Sequence, residues 1–116
     1  MVEIYHQTTR QHLVWMKKMI VKIKRYTFQI KNYKTFLQNE LVIDGCIVAL
    51  IQIWEIASLI KKQNYDLDLP IKEMTEMRNF LVHAYHKVDP FIVRDTIENS
   101  IPELEKKIDI YLLIYE

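Results

Sequence analysis

The chain has 116 residues, of which half are apolar and 27 % charged, with sixteen Lys and Arg against fifteen Asp and Glu for a formal net charge of +1. That length fits one domain and gives no room for a second core of useful size, and the composition is that of a folding chain rather than a disordered one. The near-zero net charge excludes binding of a polyanion by the molecule as a whole, so any nucleic-acid contact must come from a local patch.

A single glycine and three prolines are too few turn residues for a hairpin-rich sheet. An all-α, up-and-down bundle of four or five helices is therefore expected. The opening residues lack the basic-then-apolar pattern of a secretory signal, and no run of about eighteen apolar residues points to a membrane span. The expected protein is soluble and cytoplasmic, with no membrane partner. A first helix starts near Thr8 or Thr9, either of which suits a cap, and carries Leu13, Met16, Ile20, Ile23, Thr27 and Ile30 at three- and four-residue steps. Its other side holds Lys17, Lys18, Lys22, Lys24 and Arg25, which reads either as a solvated face or as a track for a phosphate backbone.

A second helix runs from about Asn39 to Lys62, and its apolar residues, from Leu41 and Val42 through Ile56 and Ile60, cover more than half its circumference. Such a helix needs neighbours on several sides, and a chain this short has few helices to supply them. Part of its surface is therefore expected to pack against a second copy, giving a homodimer. Cys46, the one cysteine, lies inside this apolar run and reads as a buried, inert thiol. The stretch from Gln63 to Pro70 breaks the pattern, with Asp68 as a cap and Pro70 in the first turn of a third helix from about Ile71 to Ala84. Asp89-Pro90 repeats the signal for a fourth helix to about Asn99, and Ser100-Ile101-Pro102-Glu103 opens a fifth to about Ile114.

The chemistry-bearing residues gather on the third helix. At about 100° per residue, Met77, Phe80, Leu81, Ala84 and Val88 share one arc and Arg78, Asn79, His83, Tyr85 and His86 share the other. Asn79 and His83 are four apart and adjacent, whereas Arg78 lies about 140° around from His83. Cleaving RNA without a metal needs a base for the 2′-hydroxyl, a proton donor for the leaving oxygen and a cation for the phosphorane. His83 has the intrinsic pKa for proton transfer, Arg78 a planar fork matched to phosphate, and Asn79 the means to orient either. The same residues on an exposed helix also read as an ordinary solvated strip, and spacing does not choose between the two. His83 and His86, three apart, lack the further ligands of a metal shell, and neither GxSxG, P-loop, GxGxxG nor CxxC occurs, so no metal and no cofactor is expected.

The run Arg78-Asn79-Phe80-Leu81-Val82-His83-Ala84-Tyr85, followed by Val88-Asp89, resembles the signature of the HEPN superfamily, specifically the HepT-like toxins of toxin–antitoxin pairs, also described as DUF86-like. The likeness extends to the N-terminal amphipathic helix, to Asp44 through Ala57 with Glu55 at the place of a family glutamate, and to the tail from Ile92 to Leu104. It implies a homodimeric HEPN-like bundle and a metal-independent endoribonuclease with Arg78, Asn79 and His83 at a dimer cleft, supported by Glu55 and His86. It further implies a cognate minimal nucleotidyltransferase antitoxin that silences the toxin by adenylylating Tyr85. Trp54 stands where relatives carry a small residue, Val48 and Ala49 where they often carry a basic one, and Ala84 where they carry glycine. The alternative function is a non-catalytic helical module that binds a nucleotidyltransferase or a nucleotide through Arg78.

Overall fold

A computed structural model describes residues 2–63 and 67–116, with the backbone alone for residues 2–7 and 85. Among the described residues there is no strand; the chain runs α1 (Val2–Thr27), α2 (Tyr33–Leu37), α3 (Glu40–Gln63), α4 (Ile71–Ala84), a short 3-10 turn (Tyr85–Lys87), α5 (Pro90–Asp95), a π turn (Thr96–Ser100) and α6 (Ile101–Ile114). Residues 64–66, part of the expected break before α4, lie outside the described residues.

α3 is the axis of the bundle. Nine of its residues are buried, among them Leu50, Ile53, Ala57 and Ile60 at 0 % exposure, and they meet Leu13, Met16, Ile20 and Ile23 of α1, Leu81 of α4, Val93 of α5 and Ile108 of α6 in one apolar cluster. Each aliphatic side chain taken fully out of water contributes about 1.5–3 kcal/mol before the entropy of ordering it. By length and composition α3 is also long and apolar enough to cross a bilayer. The sequence expectation missed this because Asp44, Gln52 and Glu55 interrupt the apolar run singly; half of that stretch is buried inside the bundle, as in a core helix. Cys46 is buried there too, and burial pushes its thiol up to about 11, so it holds its proton.

Several boundaries differ from the expected ones, each for a local reason. α1 begins at Val2 rather than at Thr8 or Thr9, since no glycine or proline interrupts the earlier residues; Thr9 sits inside the helix at 0 % exposure. α2 was not foreseen: Asn32 caps it by accepting from the Thr35 N–H at 2.8 Å, and Asn39 then caps α3 by accepting from Val42 N–H at 3.1 Å. Asp68 does not cap α4. Its carboxylate takes Lys107 of α6 at 3.0 Å and its N–H donates to the Tyr111 hydroxyl at 2.7 Å, which ties the entry of α4 to α6. Asp89 does cap α5, accepting from Phe91 N–H at 2.9 Å with Pro90 in the first turn. The expected break at Ser100 is absent: Ser100 is helical and makes no side-chain cap, and α5 runs through the π turn into α6. Pro102 supplies the cause, because its ring excludes the carbonyl four residues back and removes a donor, and widening by one turn absorbs both defects.

The basic side of α1 divides in two. Lys17 binds Glu105 at 2.9 Å and Asp109 at 2.8 Å on α6, and Lys24 reaches Glu105 at 2.6 Å, whereas Lys18, Lys22 and Arg25 point away from that seam and have no carboxylate partner among the described residues. Burial alone would raise the Glu105 carboxyl, but hydrogen bonds from Lys24 and Lys17 outweigh it and hold the group below its ordinary value. The same contacts raise the Lys17 ammonium against its own desolvation.

Candidate functional site

α4 is anchored on α3 by Met74 at 4 % exposure and Leu81 at 0 %. Counting from that pair at about 100° per residue places Arg78 about 60° from Leu81, at the margin of the buried stripe, and puts Asn79 and His83 about 40° apart on the outer arc. Exposure follows this order: Arg78 is half-buried, Asn79 and His83 are exposed. The polar strip therefore leans from the core edge to the solvent. Phe80 was expected on the core arc but is 42 % exposed, because the buried stripe is centred on Met74 and Leu81 rather than on Met77 and Ala84. Including Met74 in the periodicity would have shown this.

One hydrogen bond organises the strip. Arg78 Nη2 donates to Asn79 Oδ1 at 2.8 Å, drawing the guanidinium off the core edge toward the side where His83 stands. Arg78 Nε is shut off from solvent with no partner, which leaves the cation imperfectly satisfied within one chain. The Asn79 amide nitrogen has no acceptor among the described hydrogen bonds, so it remains a donor. Sequence spacing identified the three residues but could not supply this pairing, which depends on how far the guanidinium bends.

The remaining expected residues are distributed around the strip. α4 ends at Ala84, so Tyr85 and His86 fall in the 3-10 turn; His86 is exposed, and the Tyr85 side chain lies outside the described residues. Glu55 is exposed on the outer stripe of α3 and has no hydrogen bond or ion pair to the strip among the described residues. Val48 on the same stripe is 55 % exposed, Ala49 is buried at 4 %, and Trp54 is buried at 5 %. Trp54 lines a cavity of about 510 Å³ together with Met74, Met77 and residues of the π turn and α6, a space that Arg78, Asn79 and His83 do not line. Among the described residues no three His, Cys, Asp or Glu side chains gather as a metal shell would need.

Asn79 and His83 thus stand exposed, and neither the cavity beside Trp54 nor that beside Phe36 is lined by the strip. Phe80 (42 % exposed) and Val82 (48 %) flank it on α4, and Leu41 (83 %), Val48 and Leu59 (45 %) run along the outer stripe of α3.

Comparisons with known proteins give a matching family model and curated relatives. A family model described as "Ribonuclease HepT-like" matches residues 16–110, from the first core helix to the middle of α6. Among curated proteins, the chain is 31 % identical over 105 residues to "Putative RNase MJ1216" of Methanocaldococcus jannaschii, covering 81 % of this chain and 84 % of the relative. It is 27 % identical over 81 residues to "Putative RNase MJ1380" of the same organism, covering 68 % of this chain and 74 % of the relative. No solved structure matches the chain.

Proposed function

The chain belongs to the ribonuclease HepT-like family, and from that premise we propose that it is the toxin of a toxin–antitoxin pair, a metal-independent endoribonuclease acting through Arg78, Asn79 and His83. The observation that carries the reading is the Arg78–Asn79 hydrogen bond beside exposed His83. It presents a phosphate-binding fork and a proton-transfer group on one accessible strip.

In this reading a base removes the proton of an RNA 2′-hydroxyl and its oxygen attacks the adjacent phosphorus. The bond from phosphorus to the 5′-oxygen breaks, and an acid protonates the departing oxygen. The products are a 2′,3′-cyclic phosphate and a 5′-hydroxyl. His83 serves as base, and Arg78 neutralises charge growing on the non-bridging oxygens. A single chain supplies one copy of His83 on an exposed face, where water screens every charge. Two copies related by a twofold axis across the outer stripe of α3 and the exposed arc of α4 between Phe80 and Val82 provide a second histidine as acid and a closed cleft. Glu55 and His86 stand at the edge of such a cleft as supporting groups.

Silencing is the second part of the proposal: a cognate nucleotidyltransferase transfers adenylate from a nucleoside triphosphate to the Tyr85 oxygen, with pyrophosphate leaving. The added phosphate next to the motif competes for Arg78 and occupies the substrate path. Intact mass after co-expression should rise in adenylate steps in the wild type and not in Tyr85→Phe.

The test of the catalytic reading is RNA cleavage in EDTA followed by analysis of the ends. Cyclic phosphate termini that vanish with His83→Ala are expected. Nucleotide or nucleotidyltransferase binding that is lost in Arg78→Ala but kept in His83→Ala, with no cleavage by the folded wild type, would instead establish the non-catalytic module.

A further inference from the structure

The net charge of +1 conceals a strong segregation. Between Glu3 and Glu40 the sequence has no carboxylate at all, yet it holds Arg10, Lys17, Lys18, Lys22, Lys24, Arg25, Lys31 and Lys34, eight of the sixteen cations. The fold spends two of these on α6, where Lys17 and Lys24 meet Glu105 and Asp109. What is left on α1 is a separate stripe. At about 100° per residue Gln11, Trp15, Lys18, Lys22, Arg25 and Tyr26 fall within an arc of about 100°, opposite the buried Met16, Ile20 and Ile23.

Two features make this stripe more than a solvated face. The first is its aromatic content: Trp15 is 49 % exposed and Tyr26 39 %, and they bracket Lys18, Lys22 and Arg25 along about 17 Å of helix. A face that needs only solubility has no reason to expose an indole. The second is that both rings are held. Lys18 Nζ lies 4.9 Å from the centre of the Trp15 ring, and the Tyr26 ring lies so close to Gly45 of α3 that a Cβ there would come within 3.3 Å of it. Gly45 is the only glycine in the chain, and its missing side chain lets the ring settle on the α3 backbone.

From these contacts we infer that the outer stripe of α1 is a binding surface for single-stranded RNA, with Trp15 and Tyr26 stacking on bases and Lys18, Lys22 and Arg25 meeting phosphates. An acidic protein or an anionic membrane surface would also engage cations and amphipathic rings, and each is therefore an arm of the test below. A single strand uses both, since every base has a face to stack and every linkage a charge. The surface would position the strand, remote from bond cleavage, and so rests on the ribonuclease reading for its biological sense but not for its measurement.

The experiment uses the full chain carrying His83→Ala, so that binding is read without cleavage, and a fluorescein-labelled single-stranded RNA 20-mer titrated at several salt concentrations. Lys18→Gln/Lys22→Gln/Arg25→Gln should weaken binding about tenfold or more near 0.1 M salt and flatten the slope of log K against log salt by about 2, from about 0.7 per phosphate contact. Trp15→Leu should cost about tenfold with the slope unchanged. The control Lys34→Gln/Lys61→Gln/Lys106→Gln removes the same charge elsewhere and should weaken binding far less. Equal losses in the control and the stripe variant, or RNA affinity unchanged in the stripe variant while binding to polyglutamate or phosphatidylserine vesicles falls, would overturn the inference. Normal RNA cleavage by the wild type with an indifferent stripe would sink this surface and leave the ribonuclease reading intact. Stripe-dependent binding by a wild type that cleaves nothing would do the reverse.

Discussion

Arg78 is tethered by its own neighbour, and that tether gives the strip its sharpest test. With Asn79 Oδ1 accepting from Nη2 at 2.8 Å and Nε shut off from solvent, the outer nitrogens of the guanidinium keep donors for a phosphate. Asn79→Ala should release the side chain and reduce the cleavage rate about tenfold. Asn79→Asp should be worse despite its near-identical shape, because a carboxylate pairs with Arg78 and repels the substrate; single-turnover rates of the two variants decide it. Glu105 allows a second test at this scale. Its carboxyl is held below its ordinary value by Lys24 and Lys17, so its contribution to stability is present above about pH 4.5 and is lost as pH falls through the lower folded value. Glu105→Gln should cost about 1 kcal/mol at neutral pH, and the difference in Tm from the wild type should shrink in acid. Arg78, Asn79 and His83 were legible in the sequence as types and spacing. Their hydrogen bonding was not, nor was the choice Glu105 makes among five cations, since both depend on side-chain reach across helices far apart in sequence.

Among the elements, α3 and α4 came almost directly from periodicity and α2 did not. A five-residue helix is too short to show a period, and its signal, Asn32 bonding to Thr35, is one that any loop asparagine shares. The misplaced break at Ser100 has the opposite origin: Ser-x-Pro-Glu is a good local start signal, but the packing of Val93, Ile101 and Leu104 in one core makes a continuous path with a π turn the better solution. The contact between Gly45 and Tyr26 predicts a substitution with a known sign. Gly45→Ala gains up to about 1 kcal/mol of helix propensity and needs Tyr26 to give only a few tenths of an ångström, which a ring 39 % exposed can do. A small rise in denaturation midpoint is expected, and a fall of more than about 1 kcal/mol would show that the ring cannot move. Leu81→Ala, by contrast, should cost about 2–5 kcal/mol and loosen α4, the element that carries the strip.

For the whole molecule, the all-α bundle followed from the near-absence of glycine and proline, and the family from the Arg78-to-Tyr85 run. The position of the strip on an open face was not legible, because periodicity gives sides of a helix and not which side the rest of the fold leaves bare. That bare face is why two copies enter the proposed mechanism. Leu41 and Val48 of α3 are expected to lie between them, so Val48→Asp should shift a sedimenting dimer toward monomer at micromolar concentration and reduce cleavage in parallel, with helix content unchanged. The account as a whole turns on His83. Single-turnover cleavage of a labelled RNA in EDTA, comparing wild type with a His83→Ala protein of matching Tm, tests it most directly. A loss of about 10²–10⁴-fold in rate together with loss of cyclic phosphate ends is expected; a His83→Ala protein that cleaves at the wild-type rate would remove His83 from the chemistry.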